Sequence, residues 1–255
     1  MYRSLIAIIV LSLSILLTPA VAQTVSSPQA IAYASQAIAA VSGGVTIADA
    51  TLQGTVVWGG SSGTATLQAL GAGESRVDFL LGNGTRTEIR DAQTGIPLGQ
   101  WANPDGSSGR FAYHNCLSDA AWFFPALSSL SAGPNVVLSY VGLEARNGGT
   151  VQHLRAIQQV QGPVLNTNMQ KLTTMDWYLD ATTFLPVAVT FNTHPDNNLN
   201  SDLLVEVDYS NYQKINGILV PGRIQRYQQG ALMLDVTVTG ASFNSGLSLT
   251  NFSIN

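Results

Sequence analysis

Cysteine is almost absent from this 255-residue chain: Cys116 stands alone, so no internal disulfide can form. With no activating neighbour in His114-Asn115-Cys116-Leu117, it is expected to be a small buried hydrophobe rather than a reactive thiolate. Charge is scarce as well. Asp, Glu, Lys and Arg supply 10% of the residues, less than half the usual share, which leaves a surface of Ser, Thr, Asn and Gln more typical of exported proteins than of cytosolic enzymes. The eleven Lys and Arg are scattered singly among fifteen acids, for a net charge of −4. Without a cationic stripe to release counterions, nucleic acid is excluded as a partner. What is abundant is apolar: 45% hydrophobic residues and a mean hydropathy of +0.19 exclude intrinsic disorder and provide for a sizeable core.

Part of that hydropathy lies at the N-terminus. Arg3 precedes an apolar run from Leu5 to Leu17, too short to span a bilayer comfortably, and Ala20-Val21-Ala22 supplies small residues at a cleavage site. Residues 1–22 read as a secretory signal peptide, which predicts a periplasmic or secreted protein. Gln23, not Cys, would begin the mature chain, so lipid attachment there has no thiol.

From 27 to 255 the sequence reads as a single domain. Ser27-Pro28 is an N-cap with proline at the first helical position, and Ile31, Ala34, Ile38 and Val41 repeat at three and four before Gly43-Gly44. The period then changes to two. Leu52, Val56 and Trp58 oppose Thr51, Gln53 and Thr55; Val77, Phe79 and Leu81 oppose Arg76 and Asp78. Glycine-rich turns at Gly59 to Gly63, Gly71-Ala72-Gly73 and Gly82-Asn83-Gly84 recur at hairpin spacing, so the sheet should be antiparallel. Further strands are expected at Val136 to Leu143, Val151 to Ile157, Met175 to Leu179, Leu185 to Thr193, Leu203 to Tyr212, Ile218 to Gln228 and Ala231 to Thr239.

The alternation breaks between Trp101 and Gly133. Ser118-Asp119-Ala120-Ala121 looks like a capped helix start, and Trp122-Phe123-Phe124 follows immediately before Pro125. Three consecutive aromatics cannot share one helix face, and Pro125 stops a straight helix, so the segment should wedge into an apolar surface from several sides. It is either a fixed core plug or a movable lid over a ligand pocket.

Motifs for chemistry find no support. Gly59-Gly60-Ser61-Ser62-Gly63 has the letters of a nucleophile elbow but lies between strands, where that motif does not work. His114, His153 and His194 lie in separate segments without helical pairing, which predicts no metal site. His194 and Asp196 are expected in an exposed polar loop at the tip of a hairpin. Asp176, Asp180, Glu206, Asp208 and Asp235 mostly fall on the polar side of alternating strands, as solvated carboxylates should. No Gly-rich phosphate loop precedes a helix.

The C-terminal half carries a family likeness. Trp177-Tyr178-Leu179-Asp180 with Leu185-Pro186-Val187, then Val205-Glu206-Val207-Asp208-Tyr209-Ser210-Asn211-Tyr212, then Asn216-Gly217-Ile218-Leu219-Val220-Pro221 and the apolar strand Leu232 to Val238 resemble the LolA-like proteins of the lipoprotein-carrier superfamily. The resemblance implies an α+β, mainly β fold: a large antiparallel sheet curved into a half-open barrel, with an N-terminal helix and a helical lid or plug on its concave face. It implies transport or binding of a lipid, lipoprotein acyl chains or another hydrophobic ligand in that cavity, with Trp122, Phe123, Phe124, Pro125 and Leu127 as lid or cavity lining. It does not extend to the residues through which the carrier meets its membrane partners. The expectation is thus a monomeric, non-enzymatic LolA-like binding protein that uses no cofactor and no charged anchor and makes at most peripheral contact with envelope membrane proteins. The competing expectation is an envelope interaction or structural domain whose core is simply filled.

Overall fold

The structure is a computed structural model describing residues 25–92, 97–118, 120–159 and 170–254. The signal-peptide reading of residues 1–22 lies outside the described residues, as does Asp119.

Helix α1 (Pro28–Ser42) begins where Ser27 Oγ accepts from the Ala30 backbone N–H at 3.1 Å. It ends at Gly43, whose left-handed φ of 62° lets its N–H reach Ala39 O; a Cβ there would stand 2.9 Å from Gly217 O. The buried face runs through Ala30, Ala34, Ala37 and Val41, whereas Ile31 is 44% exposed. The apolar stripe is therefore turned by about one position from the expected one. Small alanines let the helix lie close against its neighbours; the larger Ile31 cannot enter that gap.

Among the described residues, thirteen strands form one antiparallel sheet. In chain order they begin with β1 (Asp49–Trp58), β2 (Ser61–Leu70), β3 (Glu74–Leu81), β4 (Gly84–Asp91), β5 (Leu98–Ala102) and β6 (Ser108–Arg110). After α2 (Tyr113–Ser118) come β7 (Val136–Arg146), β8 (Gly149–Gln158), β9 (Thr174–Asp180), β10 (Pro186–Thr193) and β11 (Leu203–Ser210). A separate ribbon of β12 (Gln213–Ile215) and β13 (Ile218–Val220) precedes β14 (Arg223–Gln228) and β15 (Ala231–Phe243). Across the sheet the order is β6-β5-β4-β3-β2-β1-β15-β14-β11-β10-β9-β8-β7. The chain thus starts at mid-sheet, meanders to one edge, crosses to the other edge and meanders back until β15 pairs with β1.

One expected strand is shortened and another is divided. Leu203 to Tyr212 stops at Ser210, and Ile218 to Gln228 breaks at Pro221-Gly222, because proline offers no N–H and Gly222 is pressed so close that a Cβ would lie 2.3 Å from Asn211 O. The expected helix start at Ser118 is also corrected: α2 ends there, and 3-10 turns at Pro125–Leu127 and Ser129–Ser131 follow.

The crossing explains why alternation fails between Trp101 and Gly133. Thirteen strands have twelve spacings, at about 4.8 Å each an arc of about 58 Å. A connection partly coiled into helix and 3-10 turns spans it because the sheet curves, without closing into a barrel. The inward rows of the strands, including Leu52, Leu67, Val77, Phe79, Trp177, Val189, Val207, Ile224 and Val236, form one core with the crossing segment and the alanine face of α1. The fold is the mainly β, half-barrel architecture that the resemblance implied.

Candidate functional site

The crossing segment fills the middle of the concave face. Trp122 is 1% exposed, Phe123 and Phe124 are fully buried, and Pro125 and Leu127 are buried beside them. The aromatics diverge: Trp122 and Phe123 meet edge to face at 5.5 Å between centroids, while Phe124 packs against Phe243 of β15 at 5.6 Å. Two bonds tie the segment to the sheet. Tyr209 Oη donates to Trp122 O at 2.5 Å, and Trp177 Nε1 donates to Ser129 Oγ at 2.9 Å; the Trp177 and Tyr209 rings stack between them.

The plug leaves space on three sides, each within the range of ligand pockets. A cavity of about 380 Å³ lies between Ala121, Trp122 and Ser129 of the plug and Val136, Met175 and Trp177 of the sheet. One of about 550 Å³ lies under α1, where Ala34 and Ile38 face Ala126, Leu127 and Leu130. The third, about 460 Å³, shares Trp122 with the first.

That third cavity holds a feature the sequence reading missed. Arg86, Glu88 and Arg90 alternate along β4 and stand in register with Phe79, Val77 and Ser75 of β3, so all three point to the concave face. Arg226 of β14 joins them. Glu88 pairs with Arg86, lies 3.2 Å from Arg90 and 4.0 Å from Arg226. Each guanidinium also rests on an aromatic face: Arg86 on Trp58 at 4.6 Å, Arg90 on Phe111 at 4.3 Å and Arg226 on Trp122 at 5.3 Å. Burial pushes the Glu88 carboxyl up, but Arg90, Arg86 and Arg226 outweigh it and hold the group down to about 2. The signal was legible: Val77, Phe79 and Leu81 identify the inward row of β3, and the hairpin register carries that row onto the charged positions of β4.

The other expected residues are dispersed. His194 is buried, not exposed; its ring meets Asp202 at 3.0 Å and approaches the His114 ring to 5.6 Å, because the β10–β11 loop folds onto α2. Asp196 is exposed in that loop. Burial and His194 hold the His114 pKa below its ordinary value. Cys116 is buried. No group of three metal-ligating side chains exists among the described residues. Asp176 bonds His153 at 2.9 Å and Arg155 at 2.8 Å, Asp235 pairs with Arg223 and Glu206 with Arg146, while Asp180 caps the turn at Thr182 and Thr183. None of these carboxylates lines any of the three cavities described above. Asp208 stands apart: burial, then neighbouring Glu206, raises it to about 6.

The architecture has solved counterparts. A domain of a putative outer membrane lipoprotein-sorting protein from Vibrio parahaemolyticus superposes with a TM-score of 0.57 at 15% identity, covering 88% of this chain and 96% of that one. A LolA superfamily protein from Nitrosomonas europaea gives 0.52 at 11%, covering 88% and 97%. A DUF1329 family protein from Desulfovibrio piger gives 0.51 at 11%, with the same coverage. No protein-family model and no curated protein sequence matches the chain. The fold is LolA-like.

Proposed function

We propose that this chain is an exported, periplasmic or secreted binding protein that holds a lipid, lipoprotein acyl chains or another hydrophobic ligand on the concave face of its half-barrel, and that it performs no chemistry there. One observation carries the reading: the plug covers the curved apolar face incompletely and leaves three cavities of about 380, 460 and 550 Å³ around Trp122, Leu127 and α1. Each buried methylene contributes about 0.8 kcal/mol, so a chain of a dozen carbons is bound firmly by burial alone. The LolA-like fold supports this use of the concavity. Trp122, Phe123, Phe124, Pro125 and Leu127 are the proposed lining, with Trp122 between two of the spaces.

The test is a titration with a fatty chain brominated near its methyl end. Quenching of tryptophan fluorescence that shrinks in Trp122→Phe is the expected result; binding without any Trp122-dependent quenching would place the ligand elsewhere. A second reading has its own observation, the complete burial of Phe123 and Phe124, which suits an envelope interaction domain with a filled core. Under that reading the brominated chain does not bind at all.

A further inference from the structure

We infer that the ligand is uncharged and carries a hydrogen-bond-accepting oxygen, as a fatty ester does, with that oxygen on the Trp122 indole N–H and its chain running under α1. The inference names the ligand class of the site proposed above and rests on that reading. Trp122 is 1% exposed, yet its Nε1–H has no acceptor among the described residues. Buried indole N–H groups ordinarily find a partner, because an unpaired one forfeits the hydrogen bond it had with water. The neighbouring Trp177 follows that rule through Ser129 Oγ. Of the described residues lining the cavity of about 380 Å³, Trp122 alone has such an orphaned polar atom. The hydroxyls nearby are engaged: Ser128 donates to Pro125 O and accepts from the Leu130 N–H, and Ser129 donates toward Met175 Sδ. Arg226, stacked over the Trp122 ring face, is itself a donor and cannot accept from the indole.

The lining sets the charge of the occupant. Among the described residues, no Asp, Glu, Lys, Arg or His lines this cavity or the one of about 550 Å³ under α1. An ionised head group there would lose its hydration without a counter-charge, whereas an ester oxygen exchanges a hydrogen bond to water for one to Trp122. Ala72 and Ser131 line both cavities, so the two adjoin at that point. A chain whose oxygen sits at Trp122 therefore passes Ala72 and Ser131 and ends against Ile38, Leu127 and Leu130. The cavity of Arg86 and Glu88 also borders Trp122, but it would lay a hydrocarbon chain against charged groups.

Displacement of the fluorescent probe N-phenyl-1-naphthylamine from the full chain at pH 8 by methyl dodecanoate, dodecanoate, dodecyltrimethylammonium and 1-dodecene separates the terms. The expected result is at least tenfold tighter binding of the ester than of either ion, and a drop of at least fivefold in the ratio of ester to alkene affinity in Trp122→Phe. Ala39, exposed on α1, lines the second cavity, so Ala39→Phe should weaken methyl dodecanoate more than methyl hexanoate. An anion or cation that binds as tightly as the ester overturns the inference while leaving the hydrophobic cavity intact. An ester-to-alkene ratio that does not change in Trp122→Phe assigns the oxygen elsewhere and also overturns it. Equal effects of Ala39→Phe on the long and short esters contradict the path under α1. Failure of the probe and all four chains to bind removes the hydrophobic-ligand reading itself. The comparison of ester with ions needs no variant, so a misfolded substitution leaves the test standing.

Discussion

At the scale of single residues, two carboxyls set opposite pH dependences. Glu88 is held at about 2 in the fold against an ordinary 4.5, so its contribution is present above 4.5 and lost as pH falls through about 2. The shift corresponds to on the order of 3 kcal/mol. Urea unfolding at pH 6, 4 and 2.5 should show this loss in wild type and a much flatter profile in Glu88→Gln. Asp208 works the other way. Its folded value of about 6 exceeds the ordinary 3.8, so the fold binds that proton more tightly and stability declines as pH rises between the two. Asp208→Asn should therefore raise the melting temperature at pH 8 and change it little at pH 4. The aromatics make a third case. Trp122→Ala combined with Phe124→Ala should reduce retention of a fatty chain more than it reduces thermal stability if the segment borders a ligand; equal loss of both marks a core plug.

At the scale of elements, α1 shows both what the sequence made legible and what it did not. Its boundaries followed from Ser27, Pro28 and Gly43, whose backbone roles are local. The buried face did not follow, because hydrophobicity favours Ile31 over Ala30 while the close approach of the helix to the plug favours the smaller residue. Charge reversal of expectation tests this: Ile31→Lys should alter stability by about 0.5 kcal/mol or less, whereas Ala34→Lys should cost several kcal/mol, both read by chemical denaturation. The strands divide similarly. Period-two alternation located most of them, but the breaks at Ser210 and Pro221 depend on Asn211 meeting Gly222, a tertiary contact. In β4 the alternation of Arg86, Glu88 and Arg90 was visible, yet charged residues ordinarily face water, and only the register with β3 turns them inward.

At the scale of the whole molecule, antiparallel pairing was readable from turn spacing, but the strand order was not. Nothing local tells β1 to pair with β15 or sends residues 111–135 from one edge of the sheet to the other. That crossing makes the plug, and the plug divides the concave face into separate cavities. It also brings together groups far apart in sequence: Arg90 and Arg226 meet at Glu88, and His114 meets His194. The account's central claim is that a hydrophobic ligand occupies this divided concavity, and native mass spectrometry with organic extraction, on the chain purified from a bacterial periplasm without detergent, tests it most directly. The account predicts a stoichiometric lipid or acylated peptide that leaves on extraction. A clean apo mass, unchanged after incubation with phospholipids and fatty acids, would contradict it.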